Sequence, residues 1–260
     1  MSVPSNEVLV RDPIIPVPQG VYEVVNTVIT GTQQAPLGTR LRMSDRTYYY
    51  AQASASVAGG TVLCAAPEVA SYQSGLLLVA SANIGAKVIS VTSTGVAVAV
   101  NSMAEGFFGV ASGTNAGEMY RIKSNAVASG GICQITLYDG LNTAVTSGNA
   151  FWIVPNQYAL CNVGSEALNY TVGVAPANVT SGGYFWLQTW GRANPTHVGA
   201  TVVGASLRLG TTGSVTSLFA TGTLGSTGSA LPDFSYSIGK NGSLAATAGQ
   251  ANPVFLSILN

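Results

Sequence analysis

Short runs of β-branched and aromatic residues alternate with Gly, Ser, Asn and Asp along nearly the whole chain. Apolar positions bounded by turn residues at such short intervals predict strands rather than helices. The clearest candidates are 22–30, 87–93, 96–100, 132–138, 150–154, 184–190 and 253–258. Helical signals are nearly absent, because Lys and Glu, the usual surface helix formers, are scarce. One short helix is expected at 66–74 (A-P-E-V-A-S-Y-Q-S), with Pro67 in its first turn. The fold class is therefore all-β, built from β-barrel or β-sandwich domains and preceded by an extended Pro-rich N-terminal arm.

That arm, residues 1–20, differs from the rest of the chain. Pro4, Pro13, Pro16 and Pro18 hold the backbone extended and cannot donate to a ladder, while Ile14, Ile15 and Val17 give it apolar teeth. A free terminus and an arm lying on a neighbouring subunit are the two readings, and the low entropy of a proline-stiffened segment suits the second. The remainder divides into a β-rich part at 21–82, a central barrel or sandwich at 83–192 and a Gly/Ser/Thr-rich part at 193–260, with Asn194-Pro195 as the break.

A weak repeat runs through these parts. One copy, 107–122, reads F-F-G-V-A-S-G-T-N-A-G-E-M-Y-R-I; a second, 171–187, reads T-V-G-V-A-P-A-N-V-T-S-G-G-Y-F-W-L; a looser third occupies 237–259. Each joins an apolar-Gly strand through a small-residue turn to a second Gly and a returning apolar strand. The first Gly is expected at a bulge or a close backbone approach.

Composition narrows the function classes. Ten basic and ten acidic residues in 260 give a net charge of zero, yet 47% of the chain is hydrophobic and 31 residues are glycine. Soluble domains average about 25% charged residues. A surface this poor in charge gives up the repulsion that keeps copies apart, as expected of a chain that works inside a large assembly. No basic stripe is present for a phosphate backbone, so nucleic acid is not an expected partner. No apolar run approaches the length of a spanning helix, and residues 1–20 lack a signal-peptide core, so no membrane partner is expected.

Catalytic signatures are missing. Cys64, Cys133 and Cys161 are widely spaced and odd in number, which predicts buried free thiols rather than a disulfide or metal framework. The lone His197, in A-N-P-T-H-V-G, reads as a loop or surface residue with no second ligand near it, so no metal, no cofactor and no catalytic residue is assigned. No G-x-S-x-G elbow, phosphate loop or H-E-x-x-H occurs. Glu118, in A-G-E-M-Y, reads as a turn or solvent-face residue before a strand rather than a glycosidase acid.

Two clusters point to binding. Arg40, Arg42 and Arg46 fall in G-T-R-L-R-M-S-D-R, and on a strand Arg40 and Arg42 share one face. That face is either solvated or set against an acidic patch of a partner, with Tyr48, Tyr49 and Tyr50 supplying aromatic area beside it. The second cluster is Y-F-W-L-Q-T-W at 184–190. Strict alternation puts Tyr184, Trp186, Gln188 and Trp190 on one face, as core, subunit interface or a sugar-stacking platform.

Taken together, P-L-G-T-R, D-R-T-Y-Y-Y-A-Q-A, the G-V-A and A-G-E-M-Y of the first repeat copy, G-G-Y-F-W-L-Q-T-W-G and the closing A-N-P-V-F-L-S-I-L resemble the head decoration, or capsid cement, proteins of tailed bacteriophages. The chain is longer than the common small cement proteins. The resemblance implies a non-enzymatic virion protein on the outer capsid surface, assembled in the host cytoplasm. Its implied partners are the major capsid protein and itself, as a homotrimer, tying neighbouring capsomers together. No recognised capsid-contacting residue of that family maps onto a position of this chain; from the residues themselves Pro13, Ile14, Ile15, Pro16, Val17, Arg40, Arg42 and Arg46 are the expected capsid or subunit contacts, with Tyr184, Trp186 and Trp190 as core or interface aromatics. A receptor- or carbohydrate-binding spike or fibre component and a β-sandwich coat subunit are the alternatives.

Overall fold

The computed structural model describes residues 29–43, 45–67, 75–92, 98–164, 170–199, 201–217, 237–242, 245–246, 251 and 253–258. The arm at 1–20, most of the expected helix at 66–74 and most of the expected strand at 22–30 lie outside them. Within the described residues the chain is all-β, and it carries no α-helix. Its strands are β1 (Arg40–Met43), β2 (Arg46–Gln52), β3 (Val62–Cys64), β4 (Leu76–Leu77), β5 (Val88–Thr92), β6 (Phe107–Val110), β7 (Met119–Asn125), β8 (Ile132–Leu137) and β9 (Ala150–Val154). The remaining strands are β10 (Asn162–Val163), β11 (Thr171–Val174), β12 (Tyr184–Ala193), β13 (Thr201–Val202), β14 (Ser206–Leu209), β15 (Val215–Ser217), β16 (Gly239–Asn241), β17 (Ala245–Ala246) and β18 (Val254–Ser257). The expected strand at 96–100 is absent from its described part, where 98–100 lead into a turn.

Packing divides the chain along lines other than the segments read from composition. Residues 67–157 form one compact unit, and 1–66 with 158–260 form the other. Neither 82 nor 192 is a boundary: β12 runs through 192, and the chain on both sides of Asn194-Pro195 belongs to one unit.

The 67–157 unit is an antiparallel sheet in the order β4-β9-β6-β7-β8-β5. A bridge between Leu78 and Val91 ties the chain after β4 to β5, so the two edges meet and the sheet nearly closes into a barrel. Closure removes the unpaired edges that otherwise invite aggregation. Alternation decides what fills it. Along β7 and β8, Tyr120, Ile122, Cys133, Ile135 and Leu137 point inward and are buried, while Met119, Arg121, Lys123 and Gln134 point out. Phe108 and Phe151 stack at the centre with ring centroids 5.1 Å apart.

The other unit is built on β12, the longest strand. One edge of β12 pairs with β2, which carries β1 beyond it; the opposite edge pairs first with β11 and then with β18. From β18 the sheet continues through β16 and β14 to β15, and from β11 through β3 to β10. Tyr50, Phe185, Trp186 and Leu187 lie in one buried cluster, and Val62, Leu207, Val215, Val254 and Leu256 in a second.

In all three repeat copies the first and last strands pair with each other. β6 with β7, β11 with β12 and β16 with β18 are antiparallel pairs. In each, the glycine of the first strand is a close-approach point. A Cβ on Gly109 would enter the Trp152 ring, one on Gly173 would meet Leu187, and one on Gly239 would meet the Phe255 carbonyl.

His197 corrects its sequence reading. It is fully buried rather than exposed, bridged in parallel to Val215. Its Nδ1 lies 3.3 Å from Thr201 Oγ1, which in turn accepts from Asn241 Nδ2 at 3.1 Å. The segment after Pro195 returns against β15, and the Thr201 hydroxyl there, itself held by the Asn241 side chain, meets one ring nitrogen of the buried imidazole.

Candidate docking faces

The geometry of β12 turns on one extra residue. Trp186 pairs with Tyr50, Leu187 with Tyr49 and Gln188 with Tyr48, but the next residue of β2, Thr47, pairs with Trp190. Thr189 is the unpaired bulge residue. Such an insertion reverses the parity of every later residue in the strand. Gly191, at φ 84°, takes the left-handed turn out of the bulge, and the space a Cβ would need there is occupied by the Asp45 carbonyl. The Gln188 amide closes the arrangement by donating to the Trp190 and Arg192 carbonyls at 3.1 and 2.7 Å.

Trp190 therefore does not share a face with Tyr184, Trp186 and Gln188, which corrects the strict alternation read from sequence. Trp186 stays in the core, edge-on to Tyr50 at 5.1 Å, and Tyr184 stacks on the same ring at 6.0 Å. Trp190 emerges on the opposite face, 41% exposed against 7% for Trp186.

On that opposite face two cross-strand rows lie side by side. Directly paired residues share a face, so Arg42, Thr47, Trp190 and Ser257 form one row. Arg192, Phe255, Lys240 and Ser206 form the next. Trp190 and Phe255 meet edge-to-face at 5.5 Å, and both are exposed. Arg42, Arg192 and Lys240 surround them, also exposed.

The sequence clusters distribute around this face. Arg40 and Arg42 share it, as alternation predicts, with Arg40 the more buried of the two. Arg46 falls on the reverse side with Tyr48 and Tyr50, 3.9 Å from Asp45. A hydrogen bond with Tyr48, and then the charge of Asp45, hold its pKa above the ordinary guanidinium value. It lines a cleft of about 550 Å³ together with Gln188, Asn194, Pro176 and Pro253. Tyr48 and Tyr50 are buried, so only Tyr49 is left part-exposed, stacked on Tyr158 at 5.0 Å. Pro13, Ile14, Ile15, Pro16 and Val17 lie outside the described residues.

Arg192, Phe255 and Lys240 escaped sequence reasoning. Phe255 was within reach, since in P-V-F-L-S-I it sits at the outward parity between Val254 and Leu256. Arg192 was hidden by the bulge.

The barrel carries a second exposed apolar face. Phe107 pairs with Val154 on one side and Arg121 on the other; Gly109 pairs with Trp152 and Met119. Leu77, paired with Ala150, extends the strip. Leu77, Phe107, Met119 and Val154 are all exposed. Contiguous apolar side chains of this size on an outer sheet surface mark contact sites.

Near the β6–β7 turn, Thr143 Oγ1 donates to both Glu118 carboxylate oxygens at 2.8 and 2.7 Å, and the Tyr120 hydroxyl donates to Oε2. The Tyr120 bond first, and Thr143 next, hold the Glu118 carboxyl below its ordinary pKa. Among the described residues no three His, Cys, Asp or Glu side chains converge as metal ligands would. Cys64, Cys133 and Cys161 are buried thiols outside any disulfide, and burial pushes the Cys161 thiol up to about 12. Comparisons with protein-family models, with curated proteins and with solved structures find no match.

Proposed function

We propose that this chain is a structural, non-catalytic virion protein that binds the outer surface of a phage capsid and stabilises the head by linking neighbouring capsomers. The observation that carries the reading is the presence of one exposed docking face on each of the two compact units. One is the aromatic and cationic face around Trp190 and Phe255, and the other is the apolar strip around Phe107 and Met119. A protein that ties neighbours together needs two separate contacts, and joining them in one chain raises the effective concentration of the second. The charge-poor composition and the phage resemblance of the sequence motifs supply the context: a capsid surface, a homotrimer and assembly in the host cytoplasm.

The test is occupancy of purified heads, counted by mass spectrometry against the coat protein. Hundreds of wild-type copies per head are expected, and Phe107→Glu with Met119→Lys should empty the heads while the protein stays folded. Absence of the wild-type chain from particles, or full occupancy by the variant, would overturn the reading. A second reading, glycan binding by a spike or fibre, is favoured by the exposed Trp190–Phe255 pair. It expects Trp190→Ala to abolish retention on immobilised glycans without lowering occupancy.

A further inference from the structure

We infer that the face around Trp190 and Phe255 docks on an acidic protein surface, with Arg192 and Lys240 meeting carboxylates of that partner on either side of Phe255. This deepens the proposed function, on which it rests, by giving the chemistry of the partner at one of the two docking faces.

Alternation fixes which side of the sheet is open. Leu41, Gly191, Ala193, Leu256 and Asn241 are buried along β1, β12, β18 and β16. Their strand neighbours Arg42, Trp190, Arg192, Phe255 and Lys240 stand on the outer side, all exposed. In one cross-strand row Arg192 and Lys240 bracket Phe255. Two strand spacings put these cations about 10 Å apart along the sheet, with the ring between them. In the neighbouring row Arg42 stands two strands from Trp190, with Thr47 between.

Charge complementarity follows from these positions. The remaining members of the two rows, Thr47, Ser257 and Ser206, are hydroxyl residues, so no position in either row is acidic. Exposed cations set around an aromatic pair, with no anion among them, are the complement of carboxylates set around an apolar patch. Tryptophan and arginine at the middle of a contact are also the residues that most often dominate protein–protein binding.

Geometry selects a protein over other anions. The Trp190 and Phe255 rings meet at 79°, so they do not offer parallel faces on which successive bases stack. Small ligands take concave sites, and neither ring lines the cleft of about 550 Å³ beside Arg46. An open sheet face with central aromatic rings, flanking cations and hydroxyls has the anatomy of a protein interface.

The experiment measures binding of the full chain, free of heads, to immobilised poly-L-glutamate by surface plasmon resonance at low ionic strength. Polygalacturonate, a polysaccharide with one carboxylate per residue, and an oligothymidine serve as the glycan and nucleic-acid surfaces. The wild type should bind polyglutamate most tightly, because the glutamate methylene stems lie against the rings, and added salt should weaken that binding steeply. Arg192→Glu with Lys240→Glu should lower the affinity roughly tenfold, and the neutral pair Arg192→Gln with Lys240→Gln roughly threefold. Lys87→Glu with Lys123→Glu, at two exposed cations of the barrel unit, changes the net charge as much as the first pair and should leave the affinity unchanged. Thermal melts verify the fold of each variant. Equal losses from the two glutamate pairs, no binding to polyglutamate, or tighter binding to polygalacturonate or oligothymidine overturn the inference. Because heads are absent, a chain that fails to decorate capsids still answers this question, so the two ideas fail separately.

Discussion

Gly191 is where a single residue bears most directly on the docking face. Its backbone is left-handed and the Asp45 carbonyl fills the space beside it. Gly191→Ala should destabilise the protein by at least about 2 kcal/mol, from an unfavourable φ and a backbone clash together, read as a lower midpoint in urea. Glu118 offers a test of a different kind. Its carboxyl is held below the ordinary value by Tyr120 and Thr143. The folded-state pKa is thus lower than the unfolded one, so the stabilisation is complete above the unfolded carboxylate value of about 4.3. It is lost as pH falls through the depressed folded value. Urea midpoints should drop in acid for the wild type, and Glu118→Gln should flatten that part of the profile; parallel profiles would dissociate the carboxylate from acid sensitivity. Cys161, with its thiol pushed up to about 12, should ignore a thiol-specific reagent at neutral pH until the chain is unfolded. Neither the left-handed glycine nor the Thr143 bond to Glu118 could be read from sequence, because Asp45 and Thr143 reach those positions from other turns of the chain. Burial of the cysteines could be, since each sits among small and apolar neighbours.

β12 shows how far alternation carries at the scale of an element. Its start at Tyr184 is legible in the sequence, and so are the bounds of β9, because Ala150–Val154 is a compact apolar run between turn residues. The repeat copies also announce their hairpins, since a Gly that must let a ring or carbonyl approach is a local requirement written at a fixed offset. The bulge at Thr189 is not legible. It is imposed by β2 and β18, which grip β12 on opposite edges at Trp190 and come from the two ends of the chain. One unpaired residue there separates two tryptophans that period-two reasoning joins. The consequence is measurable: Trp186→Ala should cost about 3–5 kcal/mol as a core truncation, whereas Trp190→Ala should cost about 1 kcal/mol or less. Equal costs in chemical denaturation would mean that both rings are packed alike and that the bulge does not divide them.

For the whole molecule, fold class comes from composition and periodicity, but the partition into units does not. A linear reading expects boundaries where composition shifts, and here the barrel unit instead interrupts the other unit between β3 and β10. β3 and β10 are themselves ladder partners, so the chain leaves one sheet, completes the barrel and re-enters beside the strand it left. Long-range pairing of that kind has no local signature, because the energy that selects it is the burial of faces contributed by distant segments. The barrel, by contrast, draws every one of its ladder pairings and its whole buried cluster from residues within 67–157. An element set that satisfies its own backbone and closes its own core has what independent folding requires. Expressed alone, 67–157 should therefore unfold in one cooperative transition and keep its amide protection in β6, β7 and β8. A molten, unprotected product would mean that the barrel depends on the rest of the chain, and that the two docking faces belong to a single cooperative body rather than to two joined ones.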